Sequence, residues 1–212
     1  MSFVALIDYG SGNLHSAGRA LREAAGGSHD IRITDKPEEI SAADRIVLPG
    51  VGHFADCAAG LRAHQGVVEA LKDAVIWQAK PFLGICVGMQ LMAETGLEDG
   101  ATTGLGWIGG DVARIIPGPG FRVPHMGWNG LTLLQAHPVL DGLGADPHVY
   151  FTHSYAMTPT NETDIAATVD YGTSTITAAV ARGNMIGTQF HPEKSQRVGL
   201  KILSNFLTWT PE

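Results

Sequence analysis

The sequence predicts an α/β fold: an open, mostly parallel sheet with helices on both faces, giving way to an antiparallel, hairpin-rich second half. Three observations predict it. Up to Glu94, apolar strand-like runs alternate with helical patterns, the signature of a wound βα sheet. From Gly104 onward the runs become short and lie between turns, as hairpins do. Hydrophobic residues make up 44% of the 212 and charged residues 17%, a composition that supplies a core and excludes a disordered chain.

The elements follow in order. Residues 3–7 read as a buried strand, and a helix over 13–24 follows a Gly-rich turn. Strands are expected at 30–34 and 45–48, the latter ending in the turn Pro49-Gly50-Val51-Gly52. A helix over 67–79, a strand over 81–85 and a helix opening at 88–94 complete the first half. The second half offers short strands at 107–116, 130–133, 148–151, 165–169, 175–181 and 185–189. Val198, Ile202, Leu203, Phe206 and Leu207 recur at helical spacing and close the chain with an amphipathic helix. The sequence has no repeats, no low-complexity stretch and no Pro/Ser-rich linker, so one domain over 1–212 is expected. The stretch 156–177, rich in Thr, Asn and Ala, reads as an excursion without a transferable pattern.

Charge and cysteine usage narrow the function classes. The formal net charge is -7 and no Lys/Arg cluster stands out, which argues against nucleic acid as a partner. Two cysteines fit a reducing compartment better than a disulfide framework. The amino terminus lacks a signal-peptide pattern and no apolar run approaches the length of a membrane span, so a soluble, cytoplasmic chain without a membrane partner is expected. Neither cysteine pairs with histidine at zinc-ligand spacing and no His-Glu-x-x-His occurs, so no metal is expected.

The most informative segment is Gly84-Ile85-Cys86-Val87-Gly88, where an apolar strand runs into Gly-x-Cys-x-Gly and emerges as a helix. This is a nucleophile elbow with Cys in place of Ser. A nucleophile on a tight, strained turn leaves no room for flanking side chains, which explains both glycines. A helix start beside Cys86 favours thiolate over thiol, against a free-cysteine pKa of roughly 8.5. The N–H of Val87 can donate to an oxyanion. Cys57, among Ala55, Ala58 and Ala59, reads as a small packed side chain.

A reactive cysteine needs a proton acceptor that later serves as a donor. Of nine histidines, His191 stands out. It ends a short strand, Pro192 forces an extended or turn geometry there, and Glu193 is close enough to orient the imidazole. A strand-end position also suits a site in an open α/β sheet. His53, His64, His137 and His153 have weaker contexts, and His15 and His29 read as ordinary surface or core residues.

The segments at 84–90 and 189–195 together resemble the class I, triad-type glutamine amidotransferases. Three further segments, 7–14, 123–129 and 150–155, make the set similar to the glutaminase subunits of imidazole glycerol phosphate synthases, over nearly the whole chain. The resemblance implies a flavodoxin-like sheet and hydrolysis of glutamine to glutamate and ammonia through a cysteine thioester, without a cofactor. It implies Cys86 as nucleophile, His191 as general base and acid, and Glu193 as orienter. Gly50, Val51 and Gly52 would form the oxyanion strand beside Val87, with Gly50 and Gly52 able to hold more than one peptide orientation. Gln90 and the backbone around His153, Ser154 and Tyr155 would hold the amino-acid end of glutamine. The implied partner is a (β/α)8-barrel cyclase forming a heterodimer, with Asn13, Trp128 and Lys194 near the interface, in histidine biosynthesis.

Other readings remain beside these. Gly10-Ser11-Gly12-Asn13 lacks the third glycine of a dinucleotide loop and is a tight turn or an interface contact. Trp128 is either packed in a hairpin or at an interface. An α/β-hydrolase would run nucleophile, acid, histidine, whereas Glu193 follows His191. A decayed, non-catalytic amidotransferase scaffold would be expected to have lost Cys86 or His191, and both are present.

Overall fold

A computed structural model describes residues 2–10 and 12–211; Met1, Ser11 and Glu212 lie outside the described residues. The first half supplies β1 (Ser2–Ile7), α1 (Leu14–Ala25), β2 (His29–Thr34), α2 (Pro37–Ala42), β3 (Arg45–Gly50), α3 (Phe54–Ala63) and α4 (Val67–Lys72). A π-helical turn (Asp73–Trp77) then leads to β4 (Phe82–Cys86) and the short α5 (Val87–Gln90). The second half adds β5 (Thr95–Gly96), β6 (Thr102–Thr103), β7 (Gly110–Arg114), β8 (His125–Gly130), β9 (Thr132–Leu133), β10 (His148–His153) and β11 (Tyr155–Pro159). It ends with β12 (Ile165–Tyr171), β13 (Ser174–Arg182), β14 (Met185–Thr188) and α6 (Gln196–Thr208).

The main sheet has eight strands in the order β2-β1-β3-β4-β14-β13-β12-β9. Its first five are parallel, and β13, β12 and β9 extend it antiparallel. Strands buried on both faces read as continuous apolar runs, as β1, β3 and β4 do. Helix α1 packs with α6, and α2 with α4. A second sheet, β11-β7-β5-β6, and the antiparallel pair β10-β8 stand beside the large one. Among the described residues no helix is long and apolar enough to cross a membrane.

Several elements differ from the sequence expectation. Strand β3 continues through Pro49 and Gly50, which were expected in a turn; Gly50 still pairs with Cys86 across the sheet. The helix after Cys86 is a single turn, not a run to Glu94. The N–H groups of Met92 and Ala93 turn to carbonyls three residues back, at Met89 and Gln90, and the Glu94 N–H bonds to the Gly110 carbonyl, so the α-helical pattern is not continued. The expected helix over 67–79 stops being α-helical at Lys72. The patternless stretch 156–177 is mostly strand: β11, β12 and the start of β13. Helices α2 and α3 had no sequence expectation.

The order of strands positions the site. Parallel β3, β4 and β14 are neighbours, so their carboxyl ends bring Gly50, Cys86 and the chain just past Thr188 to one edge of the sheet.

Candidate active site

Cys86 ends β4 with φ 54° and ψ -111°, a positive-φ conformation outside the left-handed helical region that costs a residue with a side chain of order 1–3 kcal/mol. The surroundings enforce it. A Cβ on Gly84 would lie 2.7 Å from the Gly88 carbonyl oxygen, and one on Gly88 would lie 1.8 Å from that of Leu48. Both flanks must therefore be glycine, and the sulfur is presented at the base of a cleft of about 450 Å³.

His191 lines the same cleft from just beyond β14. Its backbone N–H donates to the Tyr150 carbonyl at 3.0 Å, and its own carbonyl accepts from Ser195 Oγ at 2.7 Å. Ser195 Oγ also accepts from the Tyr150 N–H at 3.0 Å, so one hydroxyl ties the His191 turn to β10. Nδ1 of His191 donates to Glu193 Oε1 at 2.8 Å, with both side chains 1% exposed. The same oxygen accepts from Asn13 Nδ2. Burial alone would depress the His191 pKa, but hydrogen bonding and charge from Cys86 and Glu193 outweigh it and raise the value to about 9. Its Nε2 has Cys86 as an electrostatic neighbour yet makes no hydrogen bond of regular geometry, and Glu193 Oε2 is also buried without a partner.

The remaining walls are polar. Val51, Gly52 and Val87 line one side; Gly50 itself does not. The Pro49 carbonyl accepts from Tyr9 Oη at 2.7 Å, and the Val51 carbonyl from Cys57 Sγ at 3.5 Å. Gly52 has φ 107°, whereas Gly50 lies in the strand, where a Cβ would meet Tyr9 Oη at 2.6 Å and Gly88 N at 2.7 Å. Opposite stand Gln90, His153, Ser154 and Tyr155. Gln90 Nε2 donates to the Tyr155 carbonyl and to Gln189 Oε1, both at 3.0 Å.

Apart from Gly50 and Glu193, which do not line it, the cleft gathers the expected catalytic and glutamine-binding positions, together with Asn13 and Lys194. Trp128 is not in its wall. It is 47% exposed on β8 and packs edge-on to Tyr150, with ring centroids 6.0 Å apart; Lys194 Nζ approaches the same Tyr150 ring at 5.8 Å. His15, His29, His53, His64 and His137 lie outside the cleft.

Two residues escaped the sequence reading. Gln189, fully buried, points Nε2 at the Cys86 sulfur at 3.7 Å; its signal was its place two residues before His191. Glu98 brings a carboxylate into the cleft and accepts from the Phe54 N–H at 2.8 Å. It sits in an irregular Gly-rich stretch with no sequence pattern to mark it. A strained thiol, a charged imidazole oriented by a carboxylate, and backbone N–H groups around one cleft are suited to acyl transfer.

Comparison with known proteins agrees with this chemistry. Residues 5–209 match the family model of glutamine amidotransferase class-I. A relative in Agrobacterium fabrum, the imidazole glycerol phosphate synthase subunit HisH, is 55% identical, over 98% of this chain and 99% of its own. The protein of the same name in Ruegeria pomeroyi is 53% identical over the same shares. Among solved structures, a glutamine amidotransferase aligns with TM-score 0.72 at 18% identity, covering 97% of this chain and 99% of its own. A glutamine amidotransferase from Thermotoga maritima aligns with TM-score 0.62 at 18% identity, covering 93% and 78%. At such identities these two likenesses concern the fold.

Proposed function

The chain belongs to the class-I glutamine amidotransferase family, and on that premise we propose that it is the glutaminase subunit of an imidazole glycerol phosphate synthase, serving histidine biosynthesis. The observation that carries the reading of the site is Cys86 on a strained elbow beside a His191 that Glu193 orients at 2.8 Å.

In this reading the Cys86 sulfur attacks the side-chain amide carbon of glutamine, and the carbonyl electron pair moves to oxygen. The N–H of Val87 and those of Val51 and Gly52, just past the strand end, stabilise that oxyanion. The intermediate collapses with cleavage of the C–N bond. His191, charged at neutral pH, gives its proton to the leaving nitrogen, and ammonia departs from a γ-glutamyl thioester. Neutral His191 then takes a proton from water, whose oxygen attacks the thioester carbon and expels sulfur with release of glutamate. Glu193 holds the imidazole tautomer throughout. Gln90 has both amide hydrogens committed, so its oxygen is left to accept from the substrate α-ammonium, beside the Glu98 carboxylate. The backbone at His153, Ser154 and Tyr155 faces the α-carboxylate end.

The relatives are named as a subunit, so a second subunit completes the enzyme. We assign it as a (β/α)8-barrel cyclase that receives the ammonia in a cytoplasmic heterodimer, with Asn13, Trp128 and Lys194 near the contact. Glutamate formation should be measured for the chain alone, with cyclase, and with cyclase plus its nucleotide ligand. A rise of roughly a hundredfold or more is expected, the size of one oxyanion donor gained. Full turnover by the chain alone, unchanged by either addition, would remove the partner from the reading. No glutamate under any condition would remove the reaction.

A further inference from the structure

Behind the cleft wall lies a buried histidine pair that the reaction does not use. His125 is 2% exposed and His153 6%. His125 is stacked between Phe151, at 4.6 Å between ring centroids, and Tyr171, at 4.0 Å. Nδ1 of His125 and Nε2 of His153 are 3.0 Å apart. Nδ1 of His153 is 2.9 Å from the Tyr155 carbonyl oxygen, and Nε2 of His125 is 3.3 Å from Asn129 Nδ2.

These contacts admit one proton arrangement for a neutral pair. A carbonyl only accepts, so His153 Nδ1 carries the hydrogen and Nε2 is an acceptor. His125 must then donate from Nδ1, which leaves its Nε2 as an acceptor for Asn129. The Asn129 amide is itself oriented independently: Nδ2 also donates to the Asp170 carbonyl at 2.9 Å, and Oδ1 accepts from the Gly130 N–H at 2.9 Å. Desolvation holds both imidazoles neutral, with pKa values lowered to about 4, and the charged neighbour of His153, His191, pushes in the same direction. A proton on either ring would set two donors against each other. The chain ends on the Tyr155 carbonyl, the acceptor that also fixes Gln90; Gln90 in turn holds Gln189, which faces the Cys86 sulfur.

We propose that His125 and His153 are positioning residues for glutamine: a one-directional hydrogen-bond chain, Asn129 to His125 to His153 to the Tyr155 carbonyl, that sets where Gln90 and the adjoining backbone meet the amino-acid end of the substrate. The substrate named here rests on the glutaminase reading above. The chain itself rests on geometry alone. Its Nδ1–H tautomers are the ones histidine disfavours in water, so they carry a spectroscopic signature that ordinary packing would not produce.

Two measurements test it. In the unmodified protein near neutrality, nitrogen-15 imidazole spectra are expected to place the hydrogen on Nδ1 of both His125 and His153. Steady-state glutamine hydrolysis, with the chain assembled with its partner subunit, is then compared for His125→Phe and His125→Gln. Phenylalanine keeps the stacking but removes the donor to His153, and should raise KM for glutamine roughly tenfold while lowering kcat less. Glutamine can both donate to His153 and accept from Asn129, so His125→Gln should restore KM towards the unmodified value. A hydrogen on Nε2 of either ring overturns the proposal, and so does a KM unchanged by His125→Phe or raised equally by both variants. If His125→Phe does not fold, the tautomers in the unmodified protein decide alone. If the unmodified complex hydrolyses no glutamine, the glutaminase reading falls, and the tautomers still decide whether the chain exists.

Discussion

On one side of the cleft, His191 Nε2 has the Cys86 sulfur as its neighbour without a hydrogen bond of regular geometry, and behind it Glu193 Oε2 is buried without a hydrogen-bond partner. On the opposite side, in the wall and behind it, every amide and ring hydrogen of Asn129, His125, His153 and Gln90 has an acceptor. A buried unsatisfied polar atom costs about 1–3 kcal/mol, so the first wall is held at a cost that the second avoids. The difference follows what each wall meets. Atoms beside the Cys86 sulfur exchange partners during the reaction and cannot all be satisfied at rest. Atoms proposed to meet the amino-acid end of glutamine would see the same groups from start to finish, and can be fixed in advance.

Three experiments break or sharpen this contrast. The largest effect is expected from Cys86→Ala, which should lower glutamate formation by roughly 10⁵-fold or more while circular dichroism and partner binding stay unchanged. Cys57→Ala should retain turnover; the reverse outcome would mean the reactive wall has been misidentified. His191→Ala should cost nearly as much. Glu193→Gln should cost about one to two orders of magnitude less, because an orienting acid acts through the imidazole it holds. Adding His191→Ala to Cys86→Ala should bring little further loss, since the two act as a unit.

The smallest effect concerns stability against pH, where the two walls should have opposite signs. The His191 pKa is raised from 6.5 to about 9, so its contribution is fully present below about 6.5 and is lost as pH rises through about 9. The pKa values of His125 and His153 are lowered from 6.5 to about 4, so their contribution is present above about 6.5 and is lost as pH falls from there towards 4. Urea midpoints measured across pH should show an alkaline decline that His191→Ala flattens and an acid decline that His125→Phe flattens. Identical slopes in the variants and the unmodified chain would show that neither imidazole is perturbed as described.

Sequence legibility divides along similar lines. The parallel strands were legible because burial on both faces leaves continuous apolar runs, as in β1 and β4. Cys86 was legible because its turn needs two glycines, and His191 because Pro192 and Glu193 constrain it locally. The length of α5 was not legible, since the acceptor that draws the Glu94 N–H away from it is the distant Gly110 carbonyl. Nor was the His125–His153 contact, which exists only because β8 and β10 pair in the register that sets His125 opposite His153. Spacing along one strand carries no information about which partner strand will face it.

The strand order also has a consequence for when the protein becomes active. Strand β4 carries Cys86, yet its neighbour on one side, β14, comes from residues 185–188, and His191 and Glu193 lie beyond that. During synthesis Cys86 emerges long before His191 and Glu193, and until β14 arrives β4 has an unpaired edge. Parallel pairing between segments so distant in sequence is a late and slow event. A nascent chain therefore holds Cys86 before His191 and Glu193 exist, and on the roles proposed for them it cannot begin to spend glutamine until the segment past β14 has been made.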